Sequence, residues 1–319
     1  MTQLEMSRVV FISHLVLLSL SRTAVGSGSS EWGYGEDDGP STWPTNFPDY
    51  CAGSKQSPID VVEDDAEPKD LGKFTFNGMG DTPPSGASMS LINNGHSVQV
   101  NLVGDYSITG AELPNTYTVA QFHFHWGSSN TVGSEHTLNG GKYPIEMHVV
   151  SYDSKYPDLG TAAGEADGIA VIGTFIEVGS SNDAYDTLID ALANVTYKDD
   201  TYDFPSPFPI LPMMSSDLDV FYRYSGSLTT PMCQESVIWS VMKDKVELSS
   251  AQIAKFRTVN FNAEGEPDMP MVNNYRPPQP LNNRKVYVND ETAGDSAGIV
   301  RPLSALVALS AIITIFSRI

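Results

Sequence analysis

Three histidines are spaced so that they could share one metal ion. Gln121-Phe122-His123-Phe124-His125-Trp126-Gly127 alternates strictly between polar and aromatic residues. On an extended strand, side chains two apart share a face. Gln121, His123 and His125 therefore stand on one side, and Phe122, Phe124 and Trp126 on the other. A His-x-His on a half-buried strand is by itself commonly no more than two polar side chains. The third imidazole changes that reading. Ile145-Glu146-Met147-His148-Val149-Val150 also alternates and puts Glu146, His148 and Val150 on one face. The connection from Gly127 to Pro144 is rich in turn-forming residues. If the two stretches pair antiparallel, His148 comes beside His123 and His125. Three neutral nitrogen ligands leave the fourth tetrahedral position open, which suits catalytic Zn2+ better than structural zinc with its closed set of four. Water bound there would be an effective nucleophile toward an electrophilic carbon. Each ligand ring also needs its second nitrogen occupied. Gln121 and Glu146, each two residues from a ligand on the same strand face, are the expected acceptors for His123 and His148.

Those residues need a sheet to hold them. Short alternating runs recur at Leu71–Phe76, Tyr106–Ile108, Tyr117–Trp126, Ile145–Tyr152, Ile169–Val178 and Ser236–Val241. Ile169 to Gly173 is apolar on both faces, as a central strand would be. Asn94-Gly95 is a turn signal, after which His96, Val98 and Val100 fall on one face; by periodicity His96 is an ordinary strand histidine. Helical periodicity is scarce, with one candidate starting after Ser181-Asn182-Asp183 and running through Leu192, and another from Ser249 to Phe256. Tyr224 to Pro231 reads as a polar loop of small residues, and Asn274 to Leu281 has enough proline to be extended. The expected fold is mainly β (α+β). It is a single domain built on a large, mostly antiparallel, twisted central sheet with short surface helices.

Composition narrows the function. The chain has 319 residues, 40% of them hydrophobic, enough for a substantial core. Its formal charge of −21, from 18 basic against 39 acidic residues, excludes nucleic acid as a partner. Arg8 precedes an apolar run from Val9 to Leu20, followed by small residues through Gly28, so residues 1–26 are expected to be a secretory signal peptide. Near the other end, residues 289–298 form a small, polar spacer and residues 299–319 an apolar segment shorter than the roughly 20 residues a spanning helix needs. That pattern fits a GPI-anchor signal, with Ser296 in the compact triplet Ser296-Ala297-Gly298 as the attachment residue. A short single-pass anchor is the alternative. Either places the protein in the secretory pathway and on the extracellular face of the plasma membrane. In that compartment Cys51 and Cys233 most simply form a disulfide; in a reducing one they would be core thiols. Asn194-Val195-Thr196 is a glycosylation acceptor. Two further patterns carry nothing. Gly33 and Gly35 lack the Lys-Ser/Thr of a phosphate loop, and Gly294-Asp295-Ser296-Ala297-Gly298 sits in a spacer, away from the strand-to-helix turn a serine hydrolase needs.

From Trp32 to Val288 the chain resembles the α-class carbonic anhydrases of the secreted and membrane-anchored branch. The resemblance rests on Trp-Gly-Tyr at residue 32, Gln-Ser-Pro-Ile-Asp at 56, Asn-Asn-Gly-His at 93, the His-Phe-His and Glu-Met-His pair, and Ser134-Glu135-His136. Ser-Leu-Thr-Thr-Pro at 227 and Tyr-Arg-Pro-Pro-Gln-Pro-Leu at 275 complete it. It implies a catalytic domain over residues 30–288. There a zinc-bound water, whose pKa of about 7 is that family's own value, hydrates carbon dioxide to bicarbonate and a proton. It implies that Thr229 accepts the hydroxide proton, that Glu135 orients Thr229, and that Thr230 meets bicarbonate. His96 matches the proton shuttle, for which an ordinary imidazole is suited. Val150, Val171, Leu228, Val237 and Trp239 match the apolar wall for CO2, and Tyr34 and Asn94 the polar rim. Cys51 and Cys233 match the branch's disulfide. Sulfonamides and simple anions are the inhibitors to expect. Met232 after Pro231, and Gln99 and Leu159 at the rim, fall where the family varies.

Two other functions share these residues. One is a catalytically silent, carbonic anhydrase-related binding module, disfavoured because all three imidazoles, Thr229, Glu135 and His96 are present. The other is an esterase acting through the same hydroxide.

Overall fold

A computed structural model describes residues 32–290. The signal-like segment, Ser296 and the apolar segment 299–319 lie outside the described residues. No helix among the described residues is long and apolar enough to cross a membrane.

Alternation of apolar and polar residues produces a thirteen-stranded, mostly antiparallel sheet. Its centre is Tyr117–Trp126, flanked by Val98–Val103 on one side and Ile145–Asp153 on the other; Ile169–Val178 follows next. Ile169–Val178 then pairs parallel with Val237–Met242, which forms a hairpin with Phe221–Gly226. The run apolar on both faces is thus internal to the sheet, and its first eight residues are all buried. A separate two-stranded sheet joins Asp60–Val61 to Thr137–Leu138.

The sheet has a core on each side. Phe122, Phe124 and Trp126 pack with Val98, Val100, Met147 and Val149 under the helices Asp186–Ala191 and Ser250–Phe256. Full burial of each large apolar side chain contributes about 2–3 kcal/mol. This face fixes which way the histidines point, because a one-residue slip of register would exchange the two faces. The opposite face carries a smaller apolar cluster that includes Val150, Ile169, Val171, Tyr224, Val237 and Trp239.

Helix Ser250–Phe256 starts where expected: Ser249 accepts from Gln252 N–H, and the Gln252 side chain accepts from Ser249 N–H. The other expected helix is broken into a 3-10 turn at Asp183–Tyr185, an α-helix at Asp186–Ala191 and a second 3-10 turn at Leu192–Asn194. The buried Tyr185 hydroxyl donates to Met213 O at 2.6 Å, which fixes the junction. Several strand ends also move. Leu71–Phe76 becomes Phe74–Asn77, because Leu71 N–H is taken by Asn289 Oδ1 and Gly72 N–H by Asp70 Oδ1. Tyr224 to Gly226 is strand, paired to Trp239 through Val237, and the polar loop starts only after it. Asn289 belongs to the strand Tyr287–Asn289, which lies between Phe221–Gly226 and Glu67–Lys69, and its buried side chain donates to Gly72 O and Asp219 O.

His96 departs from its strand reading. The strand starts at Val98; residues 94–97 form a turn in which Asn94 Oδ1 accepts the N–H groups of His96 and Ser97. Gly95 adopts φ +80° there, a conformation open to glycine at no steric cost. Periodicity would have put His96 on the core face with Val98. The turn sends it to the other side, where it lines a cavity with His123 and His125.

Candidate metal centre

Pairing of Tyr117–Trp126 with Ile145–Asp153 is antiparallel and sets His123 opposite His148 and His125 opposite Glu146. The three ring centroids lie 4.8–5.2 Å apart, and one nitrogen from each ring falls within 4.8 Å of the others.

Hydrogen bonding decides which nitrogens are bare. His123 Nδ1–H donates to Gln121 Oε1 at 2.9 Å and His125 Nδ1–H to the Asn274 carbonyl at 2.7 Å. His148 Nε2–H donates to Glu146 Oε1 at 2.7 Å. The remaining nitrogens, His123 Nε2, His125 Nε2 and His148 Nδ1, are then lone pairs facing one another. The two Nε2 atoms approach to 3.1 Å. Two bare acceptors cannot hydrogen-bond to each other, so this arrangement fits a shared cation. Burial adds to it by disfavouring imidazolium: His123 is held well below the ordinary histidine pKa, first by desolvation and then by the neighbouring His125 and His148. Desolvation also lowers His125, against the opposing charge of Glu135. Neutral rings are what a Zn2+ ligand requires.

Gln121 and Glu146 thus take the places expected of them. Sequence reasoning missed the Asn274 carbonyl, a backbone atom with no residue-type signal. It also missed His136. Glu146 Oε1 accepts from His136 Nδ1 at 2.7 Å as well as from His148, while Glu146 Oε2 accepts the backbone N–H groups of Glu135 and His136. Burial pushes the Glu146 carboxyl upward, but the two imidazoles outweigh it and hold its pKa well below the usual range. His136 Nε2 lies 2.6 Å from the Tyr224 hydroxyl, which lies 2.9 Å from Ser57 Oγ.

Glu135 is fully buried. Its Oε1 accepts Arg276 N–H at 2.8 Å; its Oε2 has no hydrogen-bond partner and lies 3.4 Å from His125 Nε2. Thr229, 5% exposed, and Thr230 line a cavity of about 170 Å³ together with His123 and His148. Val150, Val171, Leu228 and Trp239 form its apolar wall, joined by Leu159, Ala163 and Ile169. Val237 is buried in the same apolar cluster and does not line the cavity. A second cavity of about 130 Å³ runs from His123 and His125 to Tyr34, Asn94, Gln99 and His96. There the His96 ring stacks on Trp32, centroids 3.8 Å apart.

The loop with the threonines is tied down from outside the sheet. Cys51 is disulfide-bonded to Cys233, Cys233 N–H donates to Thr230 O, and Leu228 N–H to Gln234 O. Arg276, fully buried, donates to Gln56 Oε1 and to the Ser57 carbonyl, and Gln56 donates to Cys233 O.

Residues 38–290 match the family model described as eukaryotic-type carbonic anhydrase. Among curated proteins, the chain is 39% identical over 272 residues to carbonic anhydrase 7 of Homo sapiens, covering 82% of this chain and 97% of that protein. The same identity, length and shares hold for carbonic anhydrase 7 of Mus musculus. Carbonic anhydrase 3 of Homo sapiens is 37% identical over 264 residues, 81% of this chain and 98% of that protein.

Proposed function

The chain belongs to the eukaryotic-type carbonic anhydrases, and from that premise we propose that it hydrates carbon dioxide at the outer cell surface, with His96 carrying the proton away. The observation that carries the catalytic part is the convergence of three unprotonated ring nitrogens on one point beside an apolar cavity. Zinc, when bound by His123 Nε2, His125 Nε2 and His148 Nδ1, supplies the Lewis acidity that makes a coordinated water acidic near neutral pH.

The rest is done by the chain. Gln121 Oε1, the Asn274 carbonyl and Glu146 Oε1 hold the protons of the far ring nitrogens and so fix each tautomer. Val150, Val171, Leu228 and Trp239 exclude water from the side where a small apolar substrate enters. Glu135 Oε2, buried and without a donor, is the acceptor that would hold the Thr229 hydroxyl proton. The hydroxyl's own lone pair is then left to accept a hydrogen bond from the reacting oxygen. Thr230 lines both cavities and is placed to meet the product anion. His96 stands where the inner cavity meets an outer cleft lined by Glu36, Asp37 and Asp38. Desolvation, then the Lys198 charge, lower its pKa, while Asp38 raises it, so the ring readily hands its proton onward.

The surface location is supported by the signal-like residues 1–26, the apolar segment 299–319, the Cys51–Cys233 disulfide, which is at home in an oxidising compartment, and the exposed Asn194 of the sequon. Attachment at Ser296 through a GPI anchor is the form proposed. Phosphatidylinositol-specific lipase should release the protein from intact cells; retention would favour a spanning anchor.

Stopped-flow CO2 hydration on the purified protein, with zinc content measured on the same sample, tests the catalytic reading. Hydration well above the buffer rate and one zinc per chain are expected. Absence of either would leave the silent binding module.

A further inference from the structure

Glycine is the least expected residue at position 173. It lies inside a buried strand among Val171, Ile172, Thr174 and Phe175, where a missing side chain removes packing and adds backbone entropy to be lost on folding. Its φ is not positive, so the backbone does not require glycine. What lies beside it gives the reason. Gly173 is the residue of its strand directly opposite His148. A Cβ placed on it would meet Glu146 Oε1 at 3.2 Å, Trp239 Cζ3 at 3.6 Å and His148 Cδ2 at 3.8 Å.

The first contact is tighter than ordinary van der Waals separation, and the oxygen cannot retreat. Glu146 Oε1 is held at 2.7 Å by both His148 Nε2 and His136 Nδ1. Glu146 Oε2 is held by two backbone N–H groups. Four donors thus fix the carboxylate, and a methyl group at position 173 has to displace it, His148, or the strand.

We propose that Gly173 is a positioning residue for the metal. Its missing side chain is the space in which one carboxylate oxygen sits between two imidazoles and aims His148 Nδ1 at the shared point. The inference rests on the zinc reading of the three histidines and goes beyond it to a residue that touches neither metal nor substrate.

The test is a double-mutant cycle between Gly173→Ala and Glu146→Ala, read as zinc affinity by equilibrium competition with a chelator and as the visible spectrum of the cobalt-substituted protein. Gly173→Ala alone should weaken zinc by about 10- to 100-fold, the usual effect of disturbing a ligand's outer partner, and should alter the cobalt spectrum. In the Glu146→Ala background the same substitution should cost little more, because the oxygen it displaces is gone. Unchanged zinc affinity in Gly173→Ala, or a full additive loss in the double variant, overturns the proposal. If Gly173→Ala fails to fold, a folded double variant supports it, and a double variant that fails where Glu146→Ala folds overturns it. Should the unsubstituted protein bind no zinc, the parent reading fails instead, and the two failures are distinguishable.

Discussion

The site has two halves built by different means. His123, His125, His148, Gln121 and Glu146 sit on two paired strands at the centre of the sheet, where register alone brings them together. Thr229, Thr230, His96, Asn94 and Tyr34 sit on connecting segments; the loop of the threonines is tied to Gln56 through Cys233, and His96 to Asn274, by bonds that cross more than half of the chain. The strand half is the one able to hold a metal. The segment half lines the two cavities in which the proposed reaction has substrate and proton move. A sheet fixes positions to within small distances, whereas loops can be altered without disturbing the core.

This contrast predicts that damage to the two halves separates. The largest effect belongs to the strand half: His125→Ala should lose zinc, by more than the roughly 10- to 100-fold of an outer-partner change, and hydration should fall to the buffer rate. Zinc retained at full occupancy by atomic absorption would break the comparison at its root. Thr229→Ala should cut hydration by about 10²-fold, the scale of a misplaced reacting group, with zinc content intact; loss of zinc here would mean the halves are not independent. Cys51→Ser should lower stability by about 2–5 kcal/mol, read from the denaturant midpoint, and reduce hydration while the folded fraction keeps its zinc. His96→Ala should slow turnover in weak buffer and recover with added imidazole; equal rates in both buffers would remove its shuttle role.

The smallest effect concerns the charge around His96. Burial and then Lys198 lower its pKa, so the ring remains neutral to a pH below the ordinary histidine value. Lys198→Ala should raise that pKa and move the acid limb of shuttle-limited turnover to higher pH. Asp38→Asn should move it the other way, because Asp38 favours the charged ring. A shift of the same sign in both would show that other groups control the limb.

The same division explains what the sequence disclosed. Tyr117–Trp126 and Ile169–Val178 can be read to the residue, because alternation or a run apolar on both faces is a local signal. The metal ligands and two of their three acceptors follow from that alternation. The third acceptor, the Asn274 carbonyl, lies 149 residues from His125 and is a backbone atom, so no residue type announces it. His136 was visible as a residue, but its hydrogen bond to Glu146 depends on the turn after Gly127. Strand period misplaces His96, because a turn whose geometry Asn94 and Gly95 set interrupts it before Val98. The strand Phe221–Gly226 is not legible, because Tyr224, Ser225 and Gly226 read as the start of a polar loop, and only pairing to Trp239 through Val237 makes them strand.

The stretch from Asn274 to Arg276 has a consequence for the order of events at the ribosome. All three imidazoles have been synthesised once residue 148 is made. Yet the proton that fixes His125 goes to a carbonyl 149 residues downstream of it, and the carboxylate of Glu135 is steadied by an amide 141 residues downstream of it. A nascent chain therefore holds the ligands long before it holds their supports. Firm capture of the ion belongs to the last moments of synthesis or to the time after release, and a chain stalled before that stretch would be expected to exchange its metal freely.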